Sequence, residues 1–152
     1  MSIRDGTELV IAAQGSADGD GEVLFVRAPE LVVLRRHPQP SPHGTAISFD
    51  SRFLYITNIA EEGENAVITY DMATREEVPG CAPLRTAEPV PHNPAPTLSG
   101  KQLFITHSGA EANIVSVFDV DATGCPIQSS ERFIETGLNP FGICILSEAV
   151  DV

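Results

Sequence analysis

The sequence is short of positive charge. Nine Lys and Arg residues stand against 21 Asp and Glu, the formal net charge is −12, and Lys101 is the single lysine. Nucleic acid and anionic membranes reward Lys and Arg, so neither is expected as a partner. Long apolar runs are absent as well: none approaches the ~18 residues of a membrane span. The opening Met1-Ser2-Ile3-Arg4-Asp5-Gly6 has no apolar signal region, so no signal peptide is expected in this chain. Cysteine is scarce. Cys81, Cys125 and Cys144 are an odd number without CxxC spacing, which fits neither a disulfide framework nor a zinc site. The disulfide state of Cys81 and Cys125, both in loop-like contexts, stays open at this point. Cys144, between Ile143 and Ile145, reads as a small core residue.

Nucleophile motifs are missing too. There is no Gly-x-Ser-x-Gly, no phosphate-cradling glycine loop and no zinc-protease signature, which argues against covalent serine or cysteine hydrolysis. Asp18-Gly19-Asp20-Gly21 is similar to the start of a calcium loop. The position where such a loop needs a carboxylate is Pro29, so a turn is expected. No metal and no cofactor is expected. Nowhere do apolar residues recur at helical spacing over ten residues.

What the chain has is a repeat. Pro42-His43-Gly44 is followed by Pro91-His92-Asn93 and then by Pro140-Phe141-Gly142, at a period of 49 residues. Leu54-Tyr55-Ile56-Thr57-Asn58 answers Leu103-Phe104-Ile105-Thr106-His107. Ala66-Val67-Ile68-Thr69-Tyr70-Asp71 answers Ile114-Val115-Ser116-Val117-Phe118-Asp119. The copies are 3–41, 42–90 and 91–139, followed by a strand over 140–146. Short β-branched runs between Gly, Pro and Asp turns predict strands A to D in each copy. The first copy reads as B-C-D without its opening, and D of the second is broken by Pro79 and Pro83. Four short strands every 40 to 50 residues are the mark of a β-propeller, whose blades are four-stranded sheets around a channel. Strand A is built from small residues, and Pro94 and Pro96 turn both missing N–H groups to one side. Both features suit an innermost strand with one open edge.

The phrases Pro-His-Gly, Leu-Tyr-Ile-Thr-Asn and Val115-Ser116-Val117-Phe118-Asp119-Val120-Asp121-Ala122-Thr123-Gly124 resemble the YVTN-type repeat of lactonase-type, seven-bladed β-propellers. The resemblance covers nearly the whole chain. It departs at the A–B turn, where the family's Ser-Pro-Asp-Gly is replaced by Phe49-Asp50-Ser51-Arg52 and Leu98-Ser99-Gly100-Lys101. The family holds lactonases, surface-layer proteins and binding scaffolds, so it implies a fold more than an activity. No catalytic residue is carried across, because the family's own lie partly in blades that this chain lacks.

The expected fold class is therefore all-β, a single half-propeller domain over 1–152. It holds about three propeller blades with strands B-C-D, A-B-C-D, A-B-C-D and A. Three blades fall short of a closed ring, which typically has four to eight. Two ways of closing follow: a homodimer forming a six-bladed ring, or completion by other propeller blades. Alternating strand directions put the D–A connections and B–C loops on one face, at the channel mouth. His43, His92, His107, Asn58 and Glu64 map there and are the candidate ligand-binding residues. The catalytic set is unknown. Imidazoles and carboxylates at a channel mouth suit a small ligand or a protein partner, and the proline-histidine motif equally suits a contact that fixes the angle of the next blade. The expected function is non-catalytic binding. The alternative is a lactonase-like hydrolase in which His43 and His92, with Glu64, protonate a small cyclic ester.

Overall fold

A computed structural model describes residues 2–3, 7–16, 20–59 and 66–146. Its strands, in chain order, are β1 (Ser2–Ile3), β2 (Glu8–Ala13), β3 (Glu22–Arg27), β4 (Val32–Pro38), β5 (Pro42–Ile47), β6 (Phe53–Asn58), β7 (Ala66–Asp71), β8 (Glu76–Glu77), β9 (Leu84–Arg85), β10 (Pro91–Pro96), β11 (Gln102–His107), β12 (Ile114–Asp119) and β13 (Arg132–Glu135), with one 3-10 turn at Gln128–Ser130. They form three antiparallel sheets, β1-β2-β3-β4, β5-β6-β7-β8 with β9 also on β7, and β10-β11-β12-β13. Each is a propeller blade.

Three expectations are corrected. The first blade has its innermost strand, because Ser2–Ile3 pairs with Glu8 and Leu9 of β2; two residues are too few to show a strand pattern. Residues 140–146 form no strand. No described strand stands beyond them to supply a ladder, and Cys144 there is exposed rather than in a core. The broken D strand of the second blade is as expected: β8 and β9 are separate pieces on β7, and Pro79 and Pro83 lie between them.

The blades pack face to face, which is why β6 is buried at all six positions. Its alternate residues serve different neighbours. Leu54 and Ile56 meet Val10, Val23 and Phe25 of the first blade. Phe53 and Tyr55 meet Leu103, Ile105 and Phe118 of the third. The first seam adds an Arg75–Glu8 ion pair and a Tyr70 hydroxyl bond to Gln39 Oε1 at 2.9 Å.

The second seam is locked more tightly, and the lock is written in the repeat. Both innermost strands carry a bulge at the same place, between Pro42 and Thr45 and between Pro91 and Pro94. The bulge takes the N–H of Gly44 out of the ladder, and Thr57 Oγ1 accepts it at 2.8 Å. The same hydroxyl donates to the His92 carbonyl of the next blade at 2.7 Å. One repeat later, Thr106 Oγ1 accepts from Asn93 N at 3.1 Å and donates to Phe141 O at 3.2 Å. Left-handed residues recur in step: Ser41 and Val90 before β5 and β10, Asn139 at the equivalent place before residues 140–146, and Ser51 and Gly100 in the A–B turns. Gly44 must be glycine for a different reason. An added Cβ would overlap His92 O and lie 2.8 Å from Pro94 Cδ.

A disulfide, Cys81–Cys125, spans the same seam with its Cα atoms 5.6 Å apart. The sequence left this pairing open, because only blade packing brings the two loops together.

Substitutions at this seam should be costly. Thr57→Val strands the buried Gly44 N–H and should lower stability by about 1–3 kcal/mol. Gly44→Ala should cost at least as much, since the obstacle is backbone. Denaturant unfolding checks both; a loss below about 0.5 kcal/mol, the range of neutral surface changes, would contradict the lock. Reduction of Cys81–Cys125 should remove about 2–4 kcal/mol, read as a reductant-dependent shift of the unfolding midpoint.

Candidate functional site

The bulges that lock the seam also aim side chains. His43 and His92 sit inside them, and their ring centroids are 4.1 Å apart with planes tilted by 49°. His92 in turn lies 3.9 Å from the ring of Phe141, tilted by 45°. Three successive repeats thus contribute a continuous row of rings. Asn93 ties the row together: its Nδ2 donates to His92 Nδ1 at 2.8 Å and to Phe141 O at 2.7 Å. With Nδ1 accepting, the neutral His92 ring carries its proton on Nε2. His43 Nδ1 is buried without a hydrogen-bond partner among the described residues. Such an atom is the natural place for a ligand donor or acceptor.

The remaining candidates stand elsewhere. His107 is completely buried; its Nδ1 donates to Pro89 O at 3.0 Å and its Nε2 lies 2.9 Å from Ser116 Oγ. Both ring nitrogens are engaged, so His107 here is a framework residue. Asn58, its counterpart, is buried at the end of β6 opposite Pro42. Glu64 lies outside the described residues. Of the acidic B–C loop residues, Asp20 closes a turn on Ser16 N, and Glu22 pairs with Arg36. No described carboxylate pairs with His43 or His92. No group of three metal-ligating side chains is found among the described residues.

Phe141 and Asn93 were missed as site residues, although the 49-residue spacing pointed at both. Equally unforeseen is a cleft of about 750 Å³ on the opposite face, between the A–B turns of the second and third blades and the C–D turn of the third. Its walls come from turns that only the packing of two blades brings together.

The site is electrostatically quiet. Burial pushes the His92 imidazole below its ordinary value, and the neighbouring His43 pushes the same way. Burial also lowers His107. The row offers a stacking platform, and the lowering at His92 favours its neutral, hydrogen-bonding form.

Solved structures place this architecture. Hydrazine synthase from Kuenenia stuttgartiensis superimposes with a TM-score of 0.71 at 23% identity, over 91% of this chain and 36% of that one. The β-propeller domain of Cps50 (Swd1) from Myceliophteria thermophila gives 0.60 at 16%, over 89% and 36%. A putative 6-phosphogluconolactonase from Bacteroides fragilis gives 0.65 at 15%, over 90% and 38%. The fold is a partial β-propeller. At these identities the likeness speaks for fold alone, and the chain spans little more than a third of each of these structures. No protein-family model and no curated protein matches the sequence. The row of rings runs along the starts of β5 and β10 and the residue Phe141.

The lowered histidines set a pH dependence. A group whose folded pKa lies below its unfolded value stabilises the fold only while it is neutral. Stability should thus be full above the unfolded histidine value of about 6.5 and fall as pH drops below it. His92→Phe, which copies the ring at Phe141, should keep the stack and flatten part of that slope. Unfolding midpoints between pH 8 and pH 5, taken as approximate limits, check this; an unchanged slope in the variant would contradict it.

Proposed function

We propose that this chain is a propeller module that binds a small polar ligand or a partner side chain at the channel mouth, without catalysis. The observation that carries the reading is the row His43–His92–Phe141 with its His43 Nδ1, unpartnered among the described residues. A stack of rings gives a flat apolar platform, and a buried, unsatisfied nitrogen gives direction.

The ring that would surround this mouth is completed, in the same proposal, by a second copy in head-to-tail contact. Register places Leu9, Leu24, Val26 and Val33 together on the outer face of the first blade, with Ile11 beside them. Phe104, Val115, Val117 and Ile134 share the outer face of the third. Ile11 and Ile134 are 42% and 48% exposed, an unusual position for such residues on a sheet face. These are repeat equivalents of the faces that already pack inside the chain: Leu9 matches Leu54, and Phe104 matches Tyr55. Each end thus offers one half of a seam, and two copies would supply both halves twice.

The lactonase-like alternative is supported by the fold likeness and the two imidazoles. Against it, neither imidazole has a carboxylate or guanidinium partner among the described residues to drive proton transfer. Binding is the reading the geometry favours.

The test is a screen of small polar molecules followed by the imidazole proton resonances. Hits should shift His43 and His92 and leave His107 unmoved. In a folded His43→Ala/His92→Ala variant those hits should lose at least about tenfold in affinity, roughly 1.4 kcal/mol. Binding that survives the double substitution, or hydrolysis of simple lactones by the parent chain and not by the variant, would overturn the reading.

A further inference from the structure

The cleft on the face away from the channel mouth has the build of a second site. It straddles the seam between the second and third blades, with Phe53 and Tyr55 at its floor and Arg52, Lys101, Asp119 and Asp121 among its walls. About 750 Å³ is the size of a small-molecule pocket.

Its walls are fixed in advance. Tyr55 Oη donates to Gly124 O at 3.1 Å across the seam. Gly124 sits so close to the Phe53 ring that an added Cβ would fall 2.5 Å from it. The next residue, Cys125, is bonded to Cys81 of the second blade. The turn 121–125 is thereby pinned to the neighbouring blade, and pinned walls remove much of the ordering cost of binding.

Charges of both signs line the cleft, and Asp50 shares the A–B turn of Arg52. Arg52 and Lys101 are repeat equivalents, 49 residues apart, each closing the A–B turn of its blade. Asp119 and Asp121 end strand β12 and open the C–D turn. Not all of these charges are available. Asp119 is forked by Arg132 at 2.7 and 3.1 Å. Asp50, also in the lining, accepts through Oδ1 from Ser48 Oγ and Arg52 N. Asp121 accepts from Thr123 N, Thr123 Oγ1 and Cys125 N, all through Oδ1. Its Oδ2 has no partner among the described residues. Lys101 forms no ion pair among them either, and Arg52 lies over the Phe53 ring at 4.9 Å with only a 4.0 Å contact to Asp50.

We propose that this cleft binds a small zwitterion, an α-amino acid or the free ends of a short peptide. Its carboxylate would meet Lys101 and Arg52, and its ammonium would meet Asp121 Oδ2. A lone anion would face Asp50, Asp119 and Asp121, and a lone cation would face Lys101 and Arg52. A ligand carrying both charges satisfies each side. The inference is independent of the channel-mouth reading and concerns a different face.

Titration of the full chain with glycylglycine, N-acetylglycine and glycinamide, followed by backbone amide resonances, tests it. Glycylglycine should saturate and shift the amides of Arg52, Lys101 and Asp121. The two singly charged probes should bind at least about tenfold more weakly. Lys101→Met and Asp121→Asn, which keeps the Oδ1 acceptor of the turn, should each weaken glycylglycine by a similar factor. No saturation at millimolar concentration, equal binding of the three probes, or full affinity in both folded variants would overturn the proposal. The comparison of probes needs no substitution, so it decides the matter even where a variant fails to fold.

Discussion

One hydroxyl sets the geometry of this molecule. Thr57 Oγ1 takes up the N–H that a bulge releases from Gly44 and passes its own proton to the carbonyl of the next blade. The bond fixes how closely two innermost strands approach, and the closeness is what demands a glycine at position 44. It also brings His43 over His92. Because the unit is repeated at Thr106, the same construction stands ready at the third blade, where Phe141 O occupies the place of His92 O. The first seam has no such bond among the described residues, since Ala12 stands where the later copies have threonine. There Arg75–Glu8 and Tyr70–Gln39 hold the blades.

Much of this was legible in the sequence because the repeat states it three times. The period of 49 residues gave the blade count, the strands B and C, the broken D strand around Pro79 and Pro83, and the edge position of Pro94 and Pro96. Features that depend on packing between copies were not legible. Cys81 and Cys125 lie 44 residues apart in unrelated loops and meet only because adjacent blades stack. His107 carries the same side chain as His43 and His92, yet it ends a central strand and is consumed by Pro89 and Ser116. Position within the blade, rather than residue type, decided which imidazoles join the row of rings. The two-residue strand β1 escaped because nothing so short carries a pattern.

The two faces of the seam differ in chemical character for a topological reason. One end joins bulged strand starts, which bring rings together, and burial there favours the neutral form of His92. The opposite end joins tight turns. Such turns favour Asp and Ser as acceptors for their own backbone, and these side chains leave a cleft lined with both signs of charge. An acidic chain thus keeps its single lysine, Lys101, at a point where two blades meet.

The outer faces of the first and third blades are, on this view, seam halves that a second copy covers. Absolute mass in solution, by light scattering behind gel filtration, tests that claim most directly. A single species near twice 16.2 kDa is the predicted result. A monodisperse monomer would show that both faces tolerate water, and a polydisperse series would show that they pair without closing; either result would contradict the ring of two chains.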